Sequence, residues 1–469
     1  MGVLKGDVAA SKLSSYLDGM SEHSNTLKRT LGPLMLWGLG VGYVISGMYF
    51  GWNLGLPQGG TLGLAIATFF ITLMYLTFTF GYTELACAIP KAGGAFDYAH
   101  RALGRDWGFI GGMAQNIEFI FAPPAIAFAI GGYFQLFFPH EFTLLGMNMT
   151  AGELVLPIAI IAYFIFTGIN IYGIEAAASF ELLITVVAVI GLLIFAGTTL
   201  PEFEWANLQA NALPNGYSGI FAAIPFAIWF YLAIEGVANV AEETINPQRN
   251  VLIGFGSAIL TLVSLCFLTF CAAVGVAGWE AVVFPDGTPA SGTSDSPLPM
   301  AMAQVLGETH FLYKLLIFIG LFGLVASFHG IILAAGRATF EFGRLGYAPR
   351  LLGKVHPHRQ TPANALLFNM GIGIVALFTG KTGEIITIAC FGALSLYIIS
   401  MISLFALRRR EPDLERPFRV PLYPVFPAVA LVIASIALVA ITVYNPLLAL
   451  IYAGILGLSY GYFKLFVKE

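Results

Sequence analysis

An all-α integral membrane protein is the fold class that this sequence predicts. It has twelve transmembrane helices, arranged as a 5+5 inverted repeat with broken helices 1 and 6, plus helices 11–12. Three observations predict it. Apolar residues make up 58 % of the 469 and charged residues 10 %, and the mean hydropathy is +0.83. A chain of that balance is dissolved in lipid and does not divide into the soluble domains its length would otherwise suggest. The basic residues are sided. With the twelve spans below and a cytoplasmic N-terminus, all 22 Lys and Arg residues except Lys314 and Lys381 fall on the cytoplasmic side, as the positive-inside rule requires. One missed or invented helix would scramble that asymmetry. Finally, the first and sixth spans are both interrupted, and interrupted helices at matching places of two halves point to a binding site of a secondary transporter.

The predicted spans are residues 31–56, 62–88, 108–138, 153–173, 176–199, 218–241, 251–278, 312–340, 363–380, 383–407, 424–444 and 446–466. They divide the chain into a cytoplasmic tail (1–29), a first repeat (30–199), a second repeat (216–407) and a C-terminal pair with its tail (408–469). Residues 1–29 are polar, and the first apolar stretch is too long for the core of a cleavable signal peptide. Cys87, Cys266, Cys271 and Cys390 all fall in apolar segments and read as small hydrophobes, not as a disulfide or metal set. The external loop 279–311 is rich in Pro, Gly and Ser.

Span one is long enough to cross a bilayer yet is a poor helix in its middle. Gly38, Gly40, Gly42, Gly47 and Gly51 punctuate it, each costing roughly 1 kcal/mol relative to Ala in a helix. An interrupted backbone is tolerated in lipid only where it lines a cavity or is buried in protein, so a break near Ile45-Ser46-Gly47 marks a site. Close helix packing is the alternative use of these glycines. Span six carries Pro225, which removes a backbone donor and favours a kink. It also carries Glu235 deep in the membrane, where an acid costs roughly 2.5–3.5 kcal/mol on insertion scales and needs water, a partner or free amides.

Three runs then carry a resemblance. They are Glu84-Leu85-x4-Pro90-x2-Gly93-Gly94-x3-Tyr98; Ala241-Glu242-Glu243-x2-Asn246-Pro247-x-Arg249; and Ala334-Ala335-Gly336-Arg337 followed by Gly343-Arg344-x-Gly346-x2-Pro349. In that order they resemble the amino acid–polyamine–organocation (APC) superfamily. Its LeuT-type fold has ten helices in two inverted repeats, with helices one and six broken around a central site. Within it the chain is most similar to the ethanolamine permease family, on Trp37-Gly38-x-Gly40-Val41-Gly42-Tyr43-Val44-Ile45-Ser46-Gly47-x-Tyr49-Phe50-Gly51-Trp52-Asn53 and Asn116-x-Glu118-x4-Pro123. Amino-acid carriers of the superfamily typically show Gly-Ser-Gly at the first break, where free amides receive the substrate carboxylate. Ile45 departs from that pattern and would crowd the cradle. This suits an amine without a carboxylate, unless Ile45 merely packs against a neighbour.

The resemblance implies an importer of ethanolamine working by alternating access, the bundle of spans one, two, six and seven moving against spans three, four, eight and nine. An amino acid or other amine permease or exchanger is the alternative. A channel is a further class, but no polar stripe runs the length of any span. No convergent His, Asp or Cys motif suggests an enzyme. The implied setting is a bacterial inner membrane with both termini cytoplasmic, lipid around the protein, H+ or Na+ as coupling ion, and no cofactor, metal or nucleic acid.

An ammonium in a dry site needs acceptors and aromatic faces, the latter worth roughly 0.5–2 kcal/mol. Candidate binding residues are Tyr43, Ile45, Ser46, Gly47, Tyr49, Glu118, Phe121, Trp229, Phe230, Tyr231, Ala233 and His329. For any one aromatic, ordinary packing is the competing reading. Trp229 occupies the place of a gating tryptophan in related exchangers. Glu118 is a candidate counter-ion or proton carrier, or a carboxyl buried against Gln115, Asn116 or another helix. Glu235 is a candidate gate, or a cap that accepts the free amides of the second half-helix. Glu181 and His329 are candidates for coupling, since a histidine there titrates near neutral pH; a helix–helix hydrogen bond is the other role of His329. The resemblance places Ala188 where some proton-coupled relatives carry a lysine, and Ser327 is a weak candidate for a sodium site. Glu84, Glu242-Glu243, Arg249, Arg337 and Arg344 are expected in cytoplasmic salt bridges, and Arg408-Arg409-Arg410 as an orientation signal near anionic lipid.

Overall fold

The computed structural model describes residues 29–91, 93–144, 147–172 and 177–467. Nearly all of the tail expected over 1–29 lies outside them. The helices are α1 (Pro33–Val44), α2 (Ser46–Tyr49), α3 (Leu56–Ala88), α4 (Ala95–Leu103), α5 (Arg105–Gln135), α6 (Val155–Tyr172), α7 (Ala177–Thr199) and α8 (Trp205–Gln209). There follow α9 (Ser218–Ala222), α10 (Ile224–Trp229), α11 (Pro247–Ala277), α12 (Pro297–Leu306), α13 (Phe311–Arg344), α14 (Ala363–Leu377), α15 (Thr382–Arg410), α16 (Val425–Tyr444) and α17 (Pro446–Phe466). A hairpin of β1 (Glu141–Leu144) and β2 (Met147–Thr150) joins α5 to α6.

Several starts are written in the sequence. Pro33, Pro247, Pro297 and Pro446 each open a helix, where the missing N–H is no loss and φ is already helical. Among the described residues nine helices are long and apolar enough to cross a membrane. Pro33–Val44, Pro297–Leu306 and Ala363–Leu377 are apolar but shorter. The first and sixth expected spans fall short because they are interrupted, and the ninth because it has 15 residues. Residues 279–311, read from composition as a loop, hold the helix α12, whose Leu298, Ala301 and Met302 are buried.

Burial sorts the helices into layers. The best apolar window is 89 % buried in α5, 83 % in α15 and 72 % in α13, against 17 % in α17 and 33 % in α16. α5 packs on both α13 and α15 at the centre, and α1 packs on α11 and α7. Rows of exposed apolar side chains such as Leu450, Leu458 and Leu465 on α17 are what a lipid-facing surface presents.

Candidate functional site

The first interruption is a tight turn. α1 ends at Val44, Ile45 is right-handed helical (φ −60°, ψ −23°), and α2 continues to Tyr49. The turn is held from α13: Ser327 Oγ donates to the Gly42 carbonyl at 2.7 Å and accepts from Ser46 N–H at 2.9 Å. Ser327 therefore clamps the bend of the first helix. Ile45 is fully buried, and its carbonyl accepts from Met48 N–H. The second interruption is wider. α10 ends at Trp229, Ala233 takes a left-handed conformation (φ +75°, ψ +8°), and a 3₁₀ segment runs over Ile234–Glu243. The two breaks touch. A Cβ at Gly47 would run into the Trp229 carbonyl and come within 3.2 Å of Phe230 Cα, so only glycine lets the backbones meet there.

Two carboxyl groups meet at the second break. Glu118 comes from α5, whose Pro123 and Pro124 lie inside the helix, and Glu235 from the 3₁₀ segment; both are fully buried. Glu118 Oε1 accepts from Ala233 N–H at 3.2 Å. Glu118 thus holds the amide at the turn itself, while the Glu235 carboxyl also meets its own backbone N–H in the first turn of the 3₁₀ segment. Glu235 Oε2 accepts from Tyr397 Oη at 3.0 Å. The two acids interact side chain to side chain, while Glu118 Oε2 and Glu235 Oε1 lack a well-formed hydrogen bond. A tyrosine chain surrounds them: Tyr397 Oη lies 3.0 Å from Tyr75 Oη, and Tyr231 Oη lies 2.7 Å from Thr72 Oγ1. Two acids this close in an apolar site need a proton or a cation between them.

The site is closed at both ends. On one side Trp229 Nε1 donates to the Phe50 carbonyl at 3.1 Å and its ring meets Phe50 edge-on at 5.4 Å, while Trp52 stacks on Phe230 at 5.6 Å. Beyond this closure lies a cavity of about 480 Å³ bordered by Phe226, Asp295, Lys381 and Glu384. Burial pushes the Asp295 carboxyl there up to about 6, opposed by a bond from Thr382. On the face rich in Lys and Arg, Arg337 reaches the Glu243 carboxylate at 2.9 Å, and Thr30 and Leu31 N–H bond the Glu243 carbonyl. Glu84 is held at 2.6 Å by Arg408 and at 3.3 Å by Arg416. Arg344 pairs with Glu341 of its own helix at 2.8 Å, and the side chain of Glu242 lies outside the described residues. Arg408 is more than an orientation signal, since a bidentate partner fixes it.

Glu181 and His329 do not join Glu118. They pair with each other, Glu181 Oε2 to His329 Nδ1 at 3.2 Å, both sealed from solvent. Tyr43 lies between the two acid sites, one ring edge against Gly236 beside Glu235 and the other against Gly330 beside His329. Tyr49 is turned away: its hydroxyl donates to the Ala188 carbonyl at 2.7 Å. Phe121 is half-buried and has no described ring contact or bond to the site. Ser46, Gly47, Trp229, Phe230, Tyr231 and Ala233 lie at the two breaks. Sequence reasoning missed Tyr397, Tyr75 and Thr72. The signal for Tyr397 was slight: it is the one tyrosine of residues 383–407.

The comparisons with known proteins agree on kind. A family model described as amino acid permease matches residues 31–458. An uncharacterised transporter of Rhizobium meliloti is 28 % identical, over 88 % of this chain and 87 % of its own. A branched-chain amino acid permease of Bacillus subtilis is 25 % identical over 91 % of each chain. A methylthioribose transporter of the same bacterium is 26 % identical over 87 % of each. With its buried acids, closed central site and spanning helices, the chain belongs to the amino acid permease family of the APC superfamily: an integral membrane transporter of small molecules, and not an enzyme.

Proposed function

We propose that the protein imports a small primary amine, with ethanolamine the substrate that fits best, across a bacterial inner membrane by alternating access. The observation that carries this reading is the Glu118–Glu235 pair, two sealed carboxyl groups with two oxygens lacking well-formed hydrogen bonds. An ammonium group supplies donors for both and neutralises the charge they share, and charge-assisted bonds of this type are the stronger kind. Tyr43, Phe230 and Tyr231 add aromatic faces. At the first break the Ser46 amide is already taken by Ser327 and Ile45 fills the space beside it, so a substrate carboxylate finds little there.

In this reading the interrupted first and sixth spans and the short ninth complete twelve spans in two inverted five-helix repeats, with both termini cytoplasmic. Trp229 and Phe50 close the outer side; Arg337–Glu243 and Glu84–Arg408 close the inner side. A second reading, import or exchange of an amino acid, is favoured by the relatives: one is a branched-chain amino acid permease and another a serine/threonine exchanger of Bacillus subtilis, 25 % identical over 88 % of this chain. The α-ammonium would use the same acids.

A thermal-shift screen of the purified protein separates the two, with ethanolamine, choline, serine, leucine, arginine and a polyamine as ligands. A ligand at 100 times its dissociation constant adds about 2.7 kcal/mol to the folded state. Stabilisation by ethanolamine and not by serine or leucine supports the amine reading. The reverse pattern replaces it with the amino-acid reading.

A further inference from the structure

We infer that Glu181 and His329 form a single proton-carrying pair, so that a proton and not sodium is the ion whose gradient drives this transporter. The inference rests on the transport reading above but not on which substrate is carried.

The pair is a costly thing to keep in a membrane. Its side chains are 1 % and 2 % exposed, and an acid–base pair at that depth is seldom kept for stability alone. It is also incompletely bonded: beyond the 3.2 Å contact of Oε2 with Nδ1, Glu181 Oε1 and His329 Nε2 have no hydrogen-bond partner among the described residues. Those are the atoms on which a proton is gained or lost. A hard alkali cation would want a shell of oxygens, whereas here an imidazole nitrogen faces the carboxylate. The nearby Ser327 hydroxyl is already engaged by Gly42 and Ser46.

The surroundings connect the pair to the moving parts. From α1, Gly42 packs so closely that an added Cβ would lie 2.5 Å from Glu181 Oε1. Tyr43 follows it, with an unpartnered hydroxyl. From α6 come Asn170, whose amide bonds the His329 carbonyl, and Phe166; from α7 come Thr185 and Phe180; from α13 come Ser327 and Gly330. Among the described residues the titratable group facing Glu181 is His329. Arg337 and Glu243 act on Tyr43, as does Glu181. Ser327, two residues before His329, is the clamp on the first-helix bend.

Proton bookkeeping then gives the coupling. A carboxylate beside an imidazolium has no net charge. Loss of one proton leaves a carboxylate beside a neutral imidazole, with a net charge of minus one. Sealing that net charge under Gly42 is unfavourable, so α1 closes over the pair when the proton is present. The proton leaves when α1 swings away toward the cytoplasm. One proton enters with each substrate molecule, and only an N–H or O–H bond changes.

The test uses the full-length protein in proteoliposomes with the membrane potential clamped and no sodium. Labelled ethanolamine, serine, leucine and arginine serve as probes. A gradient of about one pH unit coupled one-to-one should hold about tenfold accumulation of the probe that exchanges. Glu181→Gln should abolish that accumulation while exchange of internal for external probe stays within about twofold, a split that a merely structural role would not give. A requirement for sodium, or accumulation retained in Glu181→Gln, overturns the inference. A second arm needs no substrate. Wild-type melting temperature should fall between pH 5 and 9 more steeply than that of Glu181→Gln or His329→Gln; parallel profiles overturn the inference. If none of the probes exchanges, the substrate reading fails while this second arm still decides the proton pair.

Discussion

Two buried acid sites stand on either side of Tyr43, and they differ in what completes them. Glu118 and Glu235 are two acids with no base between them, braced by the Ala233 amide and the Tyr397 hydroxyl. Glu181 faces its own base, His329. The first site has no basic partner among the described residues and is built on the irregular backbone of the second break. The second pairs an acid with a base and is built on two regular helices, α7 and α13. The difference teaches that an intramembrane carboxyl does not declare its role by depth alone. In the readings proposed above, the pair without a base receives the substrate's cation and the pair with its own base stores a proton.

The largest test of this contrast removes a charge from the first site. Glu118→Gln keeps an oxygen for the Ala233 amide and loses the negative charge. Ethanolamine binding should weaken by about 2–3 kcal/mol, roughly 30- to 150-fold, with folded protein recovered in normal amount. Calorimetry giving wild-type affinity would remove Glu118 from the site. Next, Gly47→Ala drives a methyl group into the Trp229 carbonyl, and overpacking of this kind costs about 1–3 kcal/mol. The melting temperature should drop and the two breaks should no longer close. An unchanged melting temperature would mean that their contact is loose.

Tyr397→Phe takes one donor from Glu235. A loss of about 1 kcal/mol, or roughly fivefold in amine affinity, is expected, with no effect on proton coupling if the two sites are separate. Asp295 supplies a carboxyl outside the membrane for comparison. Burial holds its carboxyl at about 6 against an ordinary 3.8. The folded state therefore binds the proton more tightly, and the stability it contributes falls as pH rises through that window. Asp295→Asn should melt higher than wild type at pH 7.5 and alike at pH 3.5. Equal curves at both would show that the group is solvated. The smallest effect is expected of Ile45→Gly, which should admit weak serine binding if the isoleucine blocks a carboxylate. An absence of serine binding leaves Ile45 as packing.

Much of the frame could be read from residues in order. The observed helices follow the expected boundaries within a few positions, and Pro225 with Glu235 announced an interruption in the sixth span. The individual acids were equally visible, because a charge in an apolar run stands out wherever it sits. Their partners were not. Glu181 and His329 were read as separate candidates for coupling, and they lie against each other, 148 positions apart in the chain. Glu235 was read as a gate or as a cap of its own half-helix; its carboxyl meets its own backbone amide and Tyr397, and the Ala233 amide goes to Glu118 from α5. Tyr397 gave almost no warning, since one tyrosine among apolar residues reads as packing until the helix it faces is known.

By itself the sequence determined that the chain lives in a membrane and roughly where its long apolar helices run. Both follow from local solvation: each stretch of some twenty residues settles its own exchange between water and lipid. Only the tertiary structure decided which acid meets which partner, that Ser327 clamps the first bend, and that Tyr43 separates the two sites. Those depend on the rotation and crossing of helices. In lipid, packing and hydrogen bonds between distant segments set these, and hydropathy does not.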